Sequence, residues 1–182
     1  MITYISILRG INVSGQNLIK MAALKKMFES LNLENIRTYV QSGNVVFSSK
    51  KEDPKELEKI ISSGIEAEFG FDVSVIVLNS KSLETIIEGN PFAKDPLKDN
   101  AFLHVTFLAD TPLSIDEESI KAKKHVDEEF EFTSNAVYLY CPNGYGKTKL
   151  NNNFLESKLK VKATTRNWKT TNELLKLART VN

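Results

Sequence analysis

The sequence predicts an α+β fold made of two successive βαββαβ units, and three observations carry that prediction. Short apolar runs that alternate with period two are interleaved with stretches whose apolar residues recur at i, i+3, i+4 and i+7. Turn residues split two of the extended stretches into hairpins, at Ser42-Gly43-Asn44 and at Ser134-Asn135. The order of elements seen over residues 1–79 then restarts after residue 100.

Taken in order, Thr3 to Leu8 read as a strand, and a glycine-containing loop leads to a helix whose buried face is Leu24, Met27, Phe28 and Leu31. "IRTYVQSGNVVFSS" reads as two strands around a turn. In "DPKE", Asp53 is the expected N-cap, Pro54 the first helical residue and Glu56 the second half of a capping box; Leu57, Ile60, Ile61 and Ile65 share one face of that helix. Val73 to Leu78 complete the βαββαβ order, an antiparallel sheet with both helices on one face, which is the ferredoxin-like arrangement. A connecting helix over Leu83, Ile86 and Ile87 and the linker "NPFAKDPLKDN" follow. In the second unit "HVTFLAD" is a strand, Ser114 with Glu117 opens a helix, "FEFTSNAVYLYC" is a hairpin, Leu150 to Leu159 are helical and "VKATTRNW" is extended. Thr170 with Glu173 opens a C-terminal helix carrying Leu174, Leu175 and Leu177. The predicted organisation is therefore an N-terminal ferredoxin-like subdomain over 1–79, a connecting helix and linker over 80–100, and a C-terminal ferredoxin-like subdomain over 101–182. "YISILRG" matches "HVTFLAD" in pattern, and "TYVQSGNVVFSS" matches "FEFTSNAVYLYC".

A chain of 182 residues with 41% apolar content can bury a sizeable core. Its formal charge of +1 argues against a generally basic nucleic-acid binder. The charge is unevenly placed, because residues 147–182 carry nine Lys/Arg against Glu156 and Glu173. A single cysteine, Cys141, cannot form an internal disulfide, and "MITYISILRG" has neither the basic nor the long apolar region of a secretory signal; a cytoplasmic protein is expected. No apolar run reaches the roughly 18–20 residues that span a bilayer, so no membrane partner is expected. His104, His125 and Cys141 have no metal-ligand spacing, and neither a metal nor a cofactor is expected.

"LRGINVSGQNLIKMAALKKMFESL" followed by "RTYVQSGNVVFSS" resembles the N-terminal signature of the DUF1697 family of uncharacterised bacterial proteins, and "GKTKL", "ATTRNW" and "NELLKL" are similar to that family's C-terminal segments. The resemblance implies an α+β fold of two ferredoxin-like subdomains and implies no activity. One departure is Lys169, which stands after "TRNW" where the family tends to carry asparagine.

Two polar constellations are candidate ligand sites. Arg9, Asn12, Gln16 and Asn17 lie between the first strand and a helix N-terminus. A guanidinium and free helix N–H groups there both favour negative charge, and Gly10 and Gly15 allow backbone amides to approach a ligand. The alternative is a loop whose side chains bond their own backbone. Taking the first three strands as running up, down, up puts Ser42-Gly43-Asn44 at the far end of the sheet, which leaves Gln41 as the one candidate from that hairpin. Thr165, Arg166, Asn167 and Trp168 repeat the chemistry amid Lys158, Lys160, Lys162 and Lys169: an arginine fork matches phosphate oxygens and an indole can stack on a base. The alternative there is a structural Arg166 and a core Trp168.

Other motifs carry less. Gly146-Lys147-Thr148 sits between strand and helix like the end of a Walker A loop, but Cys141 occupies the first glycine position, so an ATPase is not expected. No Ser-His-Asp pattern is present, Cys141 reads as a small buried residue, and Glu128 with Glu129 reads as a solvated edge. "NVVFSS" does not match the RNA-binding RNP1 pattern. The favoured expectation is a binding protein that holds an anionic, phosphate-bearing ligand, a nucleotide or nucleic acid, in a polar cleft between the two halves. Its rivals are a small phosphate or acyl-phosphate hydrolase or transferase, with no catalytic residue identifiable, and a protein–protein interaction module with exposed sheet surface. Oligomeric state is not readable from the sequence.

Overall fold

The computed structural model describes residues 1–181. The chain divides into two compact units, one made of Met1–Thr85 with Glu173–Asn182 and the other of Ile86–Asn172. The first contains β1 (Ile2–Leu8), α1 (Met21–Ser30), β2 (Glu34–Tyr39), β3 (Asn44–Ser49), α2 (Pro54–Phe69) and β4 (Val75–Asn79), followed by α3 (Ser80–Glu88). The second contains β5 (Leu103–Leu108), α4 (Glu117–Lys123), β6 (Glu129–Phe132), β7 (Ala136–Tyr140), α5 (Asn152–Leu159) and β8 (Ala163–Asn167), and α6 (Trp168–Arg179) ends the chain. Each unit holds a four-stranded antiparallel sheet, with orders β2-β3-β1-β4 and β6-β7-β5-β8.

In the first unit the apolar faces of α1 and α2 pack on one side of the sheet. Leu24 and Phe28 from α1 and Leu57, Ile61 and Ile65 from α2 bury against Tyr4, Leu8, Phe47 and Val77. Phe47 stacks on Tyr4 at 5.8 Å and meets the edge of Phe28 at 5.6 Å, aromatic geometries that add to the burial. In the second unit Ile120 of α4 and Leu155 and Leu159 of α5 bury against Leu108, Val137, Leu139 and Ala163. Both units protect an outer strand in the same way. Glu58 of α2 accepts a hydrogen bond from Val77 N–H of β4 at 3.0 Å, and Glu156 of α5 accepts one from Ala163 N–H of β8 at 2.8 Å. A helix carboxylate on an edge-strand amide removes a donor that a foreign strand could otherwise pair with.

Several local expectations need correction. Helix α4 is capped by Asp116, not Ser114: its carboxylate accepts from Ser119 N–H at 3.1 Å. Helix α6 starts at Trp168, and its cap is Asn167, whose Oδ1 accepts from Thr170 N–H at 2.8 Å. Asp53 does cap α2, but Glu56 is the acceptor of the Lys51 ammonium. Glu128 is 2% exposed and accepts from His125 N–H, whereas Glu129 is exposed and pairs with Lys98.

The larger correction concerns direction. β1 is antiparallel to β3, and β3 is antiparallel to β2, so β1 and β2 run the same way. Helix α1 carries the chain back along the sheet before β2 begins. The β2–β3 turn therefore lies at the end where β1 finishes, and Leu8 N–H donates to Gly43 O at 2.8 Å.

Candidate functional site

The connection from β1 to α1 is held in shape by its own polar groups. Gly10, Asn12, Ser14, Gly15 and Asn17 all have positive φ, and Val13 pairs with Gln16 as an isolated bridge. Asn12 is the clamp. Its Nδ2 donates to Ile19 O at 2.9 Å and to Gln41 O at 2.8 Å, while its Oδ1 accepts from Ile19 N–H at 2.8 Å. Asn17 Nδ2 donates to Gly10 O at 3.1 Å. The amides of Asn12 and Asn17 are thus occupied in loop closure, which is the alternative the residue types had left open. Gln16 remains exposed at the loop tip and Arg9 is partly buried. Helix α1 begins at Met21 after Lys20, whose side chain makes no cap, and it has no acidic residue in its first turn.

Gln41 stands beside this loop rather than at the far end of the sheet, joined to it through its carbonyl and Asn12. Its neighbours fix the turn. Asn44 is fully buried, its amide donating to Tyr39 O and Ser42 Oγ at 3.0 and 3.1 Å. Gly43 has φ +85°, and a Cβ there would lie 2.7 Å from Ile11 Cδ1 and 2.8 Å from Leu8 Cβ, so the turn and the loop approach to within a hydrogen atom. Val40 also adopts positive φ, at 51°, a strained conformation for a β-branched residue.

In the second unit the segment around Arg166 runs along β8. Thr165 Oγ1 bonds Thr106 Oγ1 at 2.7 Å and Asn152 Oδ1 at 2.7 Å, a chain of hydroxyls and amide between β5, β8 and α5. Asn167 caps α6, and Trp168 is only 9% exposed, so its ring is a core element and not a free stacking surface. Arg166 is partly buried and its Nη1 donates to Thr165 O at 2.9 Å. Burial pulls its guanidinium pKa down to about 10, with the nearby Tyr145 phenol acting in the opposite direction. Tyr145 in turn stacks on His104, ring centroids 4.8 Å apart. Burial also lowers the His104 pKa, its Nδ1 being sealed from solvent without a hydrogen-bond partner among the described residues. In the β5–β8 register Val105 stands opposite Arg166 and His104 opposite Asn167, so strand alternation sends the Arg166 and His104 side chains to opposite faces, and Tyr145, about 20 positions before Arg166, is the aromatic neighbour that the sequence did not single out.

The remaining chemistry is restrictive. Cys141 is buried and its thiol is pushed up to about 12, by burial first and then by Glu128, so it is no thiolate nucleophile. Among the described residues no group of His, Cys, Asp and Glu could hold a metal ion, and no helix is long and apolar enough to cross a membrane. The central strands β1 and β3 are buried along almost their whole length, so neither offers an open sheet face for base stacking. Two pockets within the first unit, of 310 and 590 Å³, lie along α1 and β2 and are lined by none of the candidate ligand residues.

The family described as "Protein of unknown function (DUF1697)" matches residues 1–138. The chain belongs to the DUF1697 family. A search of curated proteins finds no match. Among solved structures, the conserved bacterial protein SP0830 from Streptococcus pneumoniae is similar over 97% of this chain and 98% of its own, at 24% identity and a TM-score of 0.70. That likeness shows that this DUF1697 member shares its fold.

Proposed function

We propose that this DUF1697 protein binds an anionic, phosphate-bearing ligand, a nucleotide or nucleic acid, at the Arg166 end of the second unit, and that it does so in the cytoplasm. The proposal takes each βαββαβ sheet as a ferredoxin-like subdomain. The observation that carries it is the desolvated guanidinium of Arg166 near the Tyr145 phenol, whose ring in turn stacks on His104. A guanidinium in a poorly solvated position attracts phosphate more strongly than one in water, and its planar fork pairs phosphate oxygens bidentately. Lys147 and Lys149 on the adjoining connection are exposed and supply further positive charge, while the Tyr145 and His104 rings supply the aromatic surface that Trp168 does not.

Thermal-shift titration with pyrophosphate, ATP and a short oligonucleotide tests this. A ligand at about 100 times its Kd is expected to raise Tm by about 5 °C or more. Arg166→Ala should abolish the shift and Arg166→Lys should reduce it, because an ammonium cannot reproduce the fork. A steep loss of the oligonucleotide response between low and physiological salt would identify nucleic acid; a shallow dependence with ATP would identify a mononucleotide. The proposal fails if none of the three anions moves Tm, or if both Arg166 variants respond as the parent protein does.

A further inference from the structure

Independently of Arg166, the first unit carries a second site. Where α1 ends, Asn32 adopts a left-handed conformation at φ 59°, and the chain is tied back onto the helix by Asn32 N–H to Glu29 O at 3.0 Å and Leu33 N–H to Phe28 O at 3.3 Å. This sharp return to β2 leaves the 310 Å³ pocket between the end of α1, the start of β2, the end of β3 and Ile60 of α2. Its volume is at the lower end of the range for small-molecule sites, about 300–1,000 Å³. Leu31, Leu33 and Ile60 give it apolar surface, with Leu33 buried and the other two partly so.

The charges around it are of both signs and are not equally occupied. Lys51 is engaged by the Glu56 carboxylate. Glu34 and Lys50 line the same pocket, are exposed, and have no ion-pair partner among the described residues, each other included. A pocket that presents one unpaired carboxylate, one unpaired ammonium and apolar carbon complements a small zwitterion with an apolar body, because each charged group finds its opposite and the body covers apolar carbon. We propose that this pocket binds a free α-amino acid with an apolar side chain. Lys50 takes the ligand carboxylate, Glu34 takes its ammonium, and the side chain lies on Leu31, Leu33 and Ile60. The shape of the pocket is set by backbone hydrogen bonds rather than by the charged side chains, so replacing Glu34 or Lys50 leaves the fold intact.

The test is a residue-resolved amide NMR titration of the full chain with L-leucine, N-acetyl-L-leucine and L-leucine amide. For a ligand this small a Kd on the order of 0.1–1 mM is expected. Leucine should shift the amides of Asn32, Glu34, Ser49 and Lys50. The acetylated ligand lacks the ammonium and the amide ligand lacks the carboxylate, so each should bind about tenfold more weakly, the effect of removing one charge-assisted contact. Glu34→Gln should erase the preference for leucine over N-acetyl-leucine, and Lys50→Gln the preference for leucine over leucine amide. No shift at residues 31–34, 49–51 and 60 up to about 10 mM leucine, or equal binding of all three ligands, overturns the proposal. Failure of phosphate ligands at Arg166 would leave this result unaffected, since the two readouts lie in different units.

Discussion

The two polar segments that look alike as sequence, Arg9–Asn17 and Thr165–Trp168, diverge in what the fold asks of them. In the first, Asn12 and Asn17 hold a loop in which five residues have positive φ, and the helix that follows starts without a side-chain cap. In the second, Asn167 caps its helix, Thr165 joins a hydroxyl chain across the sheet, and Trp168 is buried. Amides and hydroxyls in both places answer backbone requirements, since a buried or constrained backbone group left unpaired is costly. Arg166 follows the same rule in part, donating from Nη1 to Thr165 O while its desolvated head group lies near the Tyr145 phenol. A polar-rich loop thus marks, first of all, a conformation the backbone needs.

Substitutions can break the comparison, the most severe being Asn12→Ala. It removes three hydrogen bonds and places a Cβ-bearing residue without a local amide partner at φ 54°, and a loss of about 3 kcal/mol is expected in urea denaturation. Asn12→Gly should recover about 1 kcal/mol of that, because glycine adopts the left-handed region freely. If Asn12→Ala is as stable as the parent, the clamp is not what holds the loop. Asn167→Ala is a smaller disturbance, expected to cost about 1 kcal/mol through loss of one helix cap. A change in stability as large as that of Asn12→Ala would mean that Asn167 does more than cap.

The mildest test uses pH. Burial lowers the His104 pKa from its ordinary 6.5, so the folded chain keeps a neutral ring where the unfolded chain has begun to take up a proton. The unfolded state then binds more protons as pH falls below about 6.5. Stability is full above that value and declines below it, toward the lower folded pKa. His104→Phe keeps a ring against Tyr145 and should flatten this part of the Tm–pH curve; an unchanged slope would place its origin elsewhere.

Much of the element order was legible because apolar periodicity and turn residues are local signals. Leu57, Ile61 and Ile65 do line the buried face of α2, and Asp53 and Pro54 do start it. Caps were legible only to within a few residues: Ser114, Asp116, Asn167 and Thr170 are all competent acceptors, and only the hydrogen bond itself chooses among them. Strand direction was misread because the helical crossover between β1 and β2 restores the chain's heading, and that places Gln41 against Asn12. The Leu31–Lys50 pocket left no trace in the sequence. It is assembled from ordinary residue types where α1 ends, β2 begins and β3 ends, together with Ile60 from the middle of α2.

Gly43 carries a consequence for how such chains can diverge. With Ile11 Cδ1 and Leu8 Cβ already within 3 Å of where its first side-chain carbon would sit, and φ at +85°, trimming position 11 would not admit another residue, because the Leu8 Cβ stays in place. Position 43 is thereby closed to compensation: relatives that keep this turn against the first strand are expected to keep its glycine, whatever they carry at position 11.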